Sequence, residues 1–146
     1  MKEGVTVDVQ LASGLAGIPT PRTFRRWLLA ALSQPASLTI RVVNAKEGRE
    51  LNRIFRSKDY ATNVLTFRYH QPGAKNLSGD IVLCAPVIHR EAREQQKLPN
   101  AHYAHMTVHG ALHLAGMDHA NARDAKKMEA REIAILAKLG IKNPYA

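Results

Sequence analysis

A single cysteine, Cys84, occurs in the 146 residues. No disulfide framework can therefore staple the chain, and no closed cysteine-rich zinc site can form. Long apolar runs are missing as well. None approaches the roughly 20 residues a helix needs to cross a bilayer, so no membrane partner is expected. The opening Met-Lys-Glu-Gly-Val-Thr-Val-Asp lacks the apolar segment of a secretory signal, and the expected location is the reducing cytoplasm. Acidic residues are few: 12 Asp and Glu stand against 21 Lys and Arg, a formal net charge of +9. Between Arg22 and Lys58 there are nine basic residues and two acids. Such an excess favours a polyanionic partner, of which nucleic acid is the commonest. Internal repeats, low-complexity tracts and linker compositions are absent too. Residues 1–146 read as one domain, long enough to bury a real core.

What is present reads as alternating strands and helices. Val5, Val7, Val9 and Leu11 alternate with Thr6, Asp8 and Gln10, the pattern of a half-buried strand. Thr20-Pro21 has the form of an N-cap followed by the first helical position. Phe24, Trp27, Leu28, Ala31 and Leu32 then recur at helical period until Pro35. A second strand spans Leu38 to Val43. Asn44, with Glu47 three residues on, predicts a capping box and a helix to about Phe55, with Leu51, Ile54 and Phe55 facing inward. Val64 to Phe67 and Ile81 to Cys84 are short apolar strands, separated by a loop over Tyr69 to Asn76. Pro86 opens a helix to about Lys97, Asn100 is placed to cap the next one, and the last runs from near Asn121 to before Gly140. The predicted fold is α+β, a mixed sheet of about four strands packed with about five helices.

The helix after Asn100 carries the chemistry. Five of the seven histidines lie between His102 and His119. His109 and His113 are four apart, which on a helix places two imidazoles on one face about 6 Å apart. Gly116 suits a helix end with positive φ, after which His119 can return as a third nitrogen. Three nitrogens with an open fourth position describe a catalytic zinc site rather than a structural one. His102 and His105 fall in the same sector of the helix; they are expected to line the cleft or support the ligands rather than extend the set. Ala104, Val108, Ala111 and Leu112 cover a different face, so the helix reads as one core side and one imidazole side. Glu132 interrupts the apolar stripe of the last helix. It is either a carboxylate receiving the second N–H of a metal-bound histidine or an ion-paired glutamate.

Zinc suits all-imidazole ligation and brings the pKa of water down to about 7. The reaction class is then metal-assisted hydrolysis. The spacing of the histidines resembles metzincin proteases, but those have glutamate as general base after the first histidine. Here that residue is Gly110, which cannot move a proton. Asp118, beside His119, can orient a ligand or act as base. Arg56 offers a bidentate cation matched to phosphate. Zinc, arginine and positive charge together favour a phosphodiester over a peptide.

The run His109-Gly-Ala-Leu-His113-Leu-Ala-Gly116-Met-Asp118-His119 closely resembles the signature of the YbeY family, bacterial endoribonucleases and rRNA maturation factors. Phe55-Arg56-Ser-Lys-Asp59-Tyr-Ala-Thr62-Asn63-Val64-Leu65-Thr66-Phe67, Gly79-Asp80-Ile81-Val82 and Leu139-Gly140-Ile141 strengthen the resemblance, which covers nearly all the chain from Leu38 onward. It implies a zinc-dependent, single-strand-specific endoribonuclease acting in 16S rRNA 3′-end maturation and ribosome quality control. It further implies His109, His113 and His119 as the Zn2+ ligands and Arg56 as a functional arginine. The small ribosomal subunit and the GTPase Era are the implied partners. Ala61, Thr66 and Arg68 depart from the family's usual proline, serine and proline. Two other readings stay open: a metal-stabilised ribosome assembly factor acting by binding, and a metallopeptidase. Whether water or the 2′-hydroxyl is the nucleophile is also open.

Overall fold

The computed structural model describes residues 4–146, so the first three residues of the segment read above for a signal lie outside it. The chain runs β1 (Val5–Leu11), α1 (Pro21–Ala31), β2 (Ala36–Val43), α2 (Ala45–Arg56), β3 (Val64–Arg68), β4 (Leu77–Cys84), α3 (Ala85–Glu94), α4 (Pro99–Leu114) and α5 (Ala122–Lys138). This is the α+β order the periodicities predict.

The sheet order is β1-β2-β4-β3. β1 and β4 flank β2 in parallel, while β3 pairs antiparallel to β4, which makes the sheet mixed. Because strand side chains alternate between faces, each face has its own cluster. Leu38, Ile40, Val42, Ile81 and Leu83 pack with Phe24, Trp27 and Leu28 of α1 and with Tyr103, Val108 and Leu112 of α4. Val43, Val82, Cys84, Leu65 and Phe67 form the second cluster with Leu51 of α2.

Helix starts follow from local chemistry. Thr20 Oγ1 accepts the Thr23 N–H at 3.2 Å, and Asn44 Oδ1 accepts the Glu47 N–H at 2.9 Å. The reciprocal half of the expected capping box is not made. The Glu47 carboxylate instead takes Arg41 Nε at 2.7 Å and Nη2 at 3.0 Å, because the adjacent strand offers it a charged donor.

Several boundaries and faces differ from the sequence reading. Ile54 and Phe55 do not face inward; they are 59% and 56% exposed, and α2 buries Gly48 and Asn52 instead. At 100° per residue Ile54 lies about 120° from the Gly48 line, off the packed face. Phe55 is close to that line but about two turns farther on, where Phe67 of the edge strand backs it at 5.2 Å between ring centroids. β4 begins at Leu77 rather than Ile81, since Leu77 to Asp80 pair with β2 although Ser78 and Asp80 are polar. α3 ends at Glu94, short of Lys97. Leu98, not Asn100, occupies the N-cap of α4, with no side-chain cap bond and Pro99 opening the helix.

α4 is more deeply enclosed than a two-sided helix. It packs against α1, α3, α5, β3 and β4. His102 and His105 are 2% and 7% exposed, because α3 and α5 cover the side that the wheel left to imidazoles. No helix among the described residues is long and apolar enough to cross a membrane.

Candidate metal centre

His109 and His113 project from the last turns of α4, with ring centroids 5.8 Å apart, the one-turn separation their spacing dictates. Gly110 between them is a packing requirement. A Cβ there would stand 3.0 Å from Ile81 Cγ2 and 3.4 Å from Thr66 Cγ2, so any larger residue would make Ile81 give way for α4 to lie this close to β3 and β4.

α4 then ends on Gly116, whose φ of 101° lies in the left-handed region. Its N–H bonds the His113 carbonyl at 3.0 Å and the Met117 N–H bonds the Leu112 carbonyl at 3.0 Å. This reversal returns His119 to within 5.6 Å of the His109 ring and 5.5 Å of the His113 ring, centroid to centroid. Each of the three histidines offers a ring nitrogen within 4.8 Å of the others, so together they can hold a metal ion.

The surrounding chemistry suits that role. His109 Nδ1 donates to Glu132 Oε2 at 2.8 Å, which fixes its tautomer and leaves Nε2 with a free lone pair. Glu132 is fully buried. Burial alone would raise its carboxyl, but donors from His105, His109 and Tyr145 outweigh it and hold the group down at about 2. His113 is pushed below the ordinary imidazole range, by burial first and by His109 next. The neutral imidazole so favoured is the form that ligates metal.

Arg56 reaches the same cleft from the end of α2. Its Nη2 donates to the Thr66 carbonyl at 2.7 Å and its Nη1 to the Phe55 carbonyl at 3.1 Å. The guanidinium carbon sits 5.1 Å from the centroid of the Phe67 ring. Arg56, Asn63, Val64, Leu65 and Thr66 form one wall of a cleft of about 300 Å³, and the three histidines form the other. A larger groove of about 580 Å³ along the outer face of α2 contains no histidine.

Asp118 is placed differently. Its Oδ1 accepts the His119 backbone N–H at 2.7 Å and lies 4.0 Å from His119 Nδ1. It is exposed and is not among the residues lining the cleft. Arg68, at the end of β3, is exposed too.

The buried polar side of α4 holds two carboxylates. His105 Nε2 donates to Glu132 Oε1 at 2.6 Å, and Tyr145 donates to the same oxygen at 2.5 Å. His102 Nε2 donates to Glu91 Oε1 at 2.8 Å, and Asn63 Nδ2 donates there at 3.1 Å. The sequence reading flagged Glu132 from its place in an apolar stripe. It passed over Glu91, Asn63 as a cleft residue, and Tyr145. No local periodicity links these residues to α4; only their polarity near the family-like blocks was visible.

An α+β protein with three clustered imidazoles and a guanidinium facing one cleft carries groups that a hydrolase can use. A family model described as Endoribonuclease YbeY matches residues 21–140. Endoribonuclease YbeY of Thiobacillus denitrificans is 54% identical over 145 residues, covering 99% of this chain and 99% of its own length. That of Stenotrophomonas maltophilia strain K279a is 54% identical over 153 residues, covering 97% and 95%. The solution structure of TM1509 from Thermotoga maritima superposes with a TM-score of 0.59 at 21% identity, covering 92% of each chain, a likeness of fold. The chain belongs to the YbeY family of endoribonucleases.

Proposed function

We propose that this chain is a zinc-dependent, single-strand-specific endoribonuclease that matures the 3′ end of 16S rRNA and serves ribosome quality control. It would work in the cytoplasm as one domain, on RNA of the small ribosomal subunit, with the GTPase Era as a partner. One observation carries the chemistry: His109, His113 and His119 share a cleft wall-to-wall with Arg56.

The three histidines would hold the ion, and all-nitrogen ligation suits zinc. Bound there, zinc supplies Lewis acidity and brings a water or substrate oxygen toward deprotonation near neutral pH. Glu132 keeps His109 in the Nδ1–H tautomer. Arg56, pinned by two backbone carbonyls, offers its charge to a phosphate and stabilises the negative charge that develops on the scissile group. Asp118 supports the turn that presents His119 through its bond to the backbone; we assign it positioning rather than proton transfer. The net charge of +9 draws a polyanion toward the cleft.

The test is cleavage of labelled single-stranded RNA by wild type beside His113→Ala, purified identically, with zinc content measured on both. Cleavage and zinc by the wild type alone supports the reading. Full zinc in the variant removes His113 from the ligand set. Equal cleavage, or none, moves the assignment to an assembly factor that acts by binding.

A further inference from the structure

We infer that the C-terminal tail is part of the metal centre: the Tyr145 hydroxyl, by holding the Glu132 carboxylate, positions His109 to bind the ion. The inference rests on the reading that the three histidines take a metal.

The geometry forms one continuous chain. Tyr145 Oη donates to Glu132 Oε1 at 2.5 Å, and Glu132 Oε2 accepts His109 Nδ1–H at 2.8 Å. The terminal torsion of a glutamate is broad and two-fold, so nothing intrinsic tells Glu132 which oxygen to present, or at what tilt. Two donors on Oε1, Tyr145 and His105 Nε2 at 2.6 Å, define the carboxylate plane and leave Oε2 to His109. The tautomer that bares His109 Nε2 therefore depends on the tyrosine that closes the other end of the carboxylate. Tyr145 also shields this group. Its ring meets the His105 ring edge-on at 5.2 Å between centroids, while Tyr145 itself is 47% exposed and Glu132 is 0% exposed. One side of the tyrosine faces water and the other seals a buried anion.

The tail is fastened for this purpose at both ends. α5 ends at Lys138, Leu139 caps it, and the Ile141 N–H bonds back to the Leu136 carbonyl at 2.9 Å. Lys97 Nζ donates to the Pro144 carbonyl at 3.0 Å, and the Tyr145 N–H bonds Asn143 Oδ1 at 2.8 Å. These contacts return the chain from the end of α5 to the buried side of α4. Tyr145 reaches His109 through Glu132, so it is a positioning residue.

The experiment uses the full chain as wild type, Tyr145→Phe, Tyr145→Ala and Glu132→Gln, with the Phe change also placed on the Gln background. Zinc affinity is read by competition with a chelating dye. Imidazole nitrogen NMR of the metal-free protein reads the His109 tautomer. Loss of a group that supports a metal ligand lowers affinity about 10–100-fold. Tyr145→Phe keeps the ring on His105. It should bind zinc about tenfold more weakly, lose some metal-free thermal stability because a buried carboxylate gives up one donor, and shift His109 from a single Nδ1–H form to a mixture. Tyr145→Ala should lose at least as much affinity. On the Glu132→Gln background the Phe change should have no further effect. Wild-type affinity and an unchanged tautomer in Tyr145→Phe would overturn the inference, as would a full additional loss on the Gln background. If Glu132→Gln does not fold, the tautomer in Tyr145→Phe decides alone. Failure of the wild type itself to bind zinc would instead defeat the metal reading, and this inference with it.

Discussion

Gly110→Ala tests how closely α4 is held against the sheet. The added Cβ would lie 3.0 Å from Ile81 Cγ2 and 3.4 Å from Thr66 Cγ2, inside the roughly 3.5–4.0 Å at which carbon atoms attract. Ile81 is fully buried in the main cluster, and close packing of interiors leaves such a side chain little freedom to shift. Overpacking of this kind costs about 1–3 kcal/mol. Alanine in place of glycine within a helix returns about 1 kcal/mol. The net expectation is a loss of about 1 kcal/mol, which for a chain of this size lowers Tm by about 2–4 °C. Thermal unfolding by circular dichroism measures it, and a cycle with Ile81→Ala isolates the cause. Ile81→Ala alone costs about 2–5 kcal/mol, but it removes the nearest contact. On that background Gly110→Ala should change sign and stabilise by up to about 1 kcal/mol, since residues in contact do not add. Stabilisation of the wild type by Gly110→Ala, or the same effect on both backgrounds, would refute the close-approach explanation of this glycine.

Two further outcomes are expected. Arg56→Glu should retain zinc content while cleavage of single-stranded RNA falls by about 10–100-fold, the worth of a charged hydrogen bond to phosphate; wild-type cleavage would end the phosphate role of this arginine. Asn63→Ala removes the acceptor of the Val64 N–H and one donor to Glu91. It should cost about 1–3 kcal/mol in denaturant unfolding, and an unchanged midpoint would show that water replaces both bonds.

Some expectations held because they depend on neighbours in sequence. The cap at Thr20, the cap at Asn44 and the alternation of β1 each involve contacts within a few residues. The pairing of His109 with His113 depends on the pitch of one helix, and the return of His119 on one residue with positive φ. Local geometry was thus enough to bring three imidazoles together. It was not enough at the end of α2, where Ile54 and Phe55 have the hydrophobicity of core residues. Ile54 lies off the face that Gly48 and Asn52 bury, and Phe55 meets Phe67 of the edge strand; which face of α2 packs is settled by the sheet and not by hydrophobicity.

The strand and helix order, the histidine cluster and the positive charge were thus set by the sequence itself, through periodicity, spacing and composition. The tertiary structure alone decided that β4 lies between β2 and β3, that α4 is enclosed on both sides, and that Glu132 faces His109 while Tyr145 closes it from the tail. Glu91 with Asn63 and His102 belongs to the same group. The reason is physical. A buried carboxylate must find donors wherever the packed elements bring them, and those donors lie on segments distant in the chain, whose order along it does not specify their distance in space.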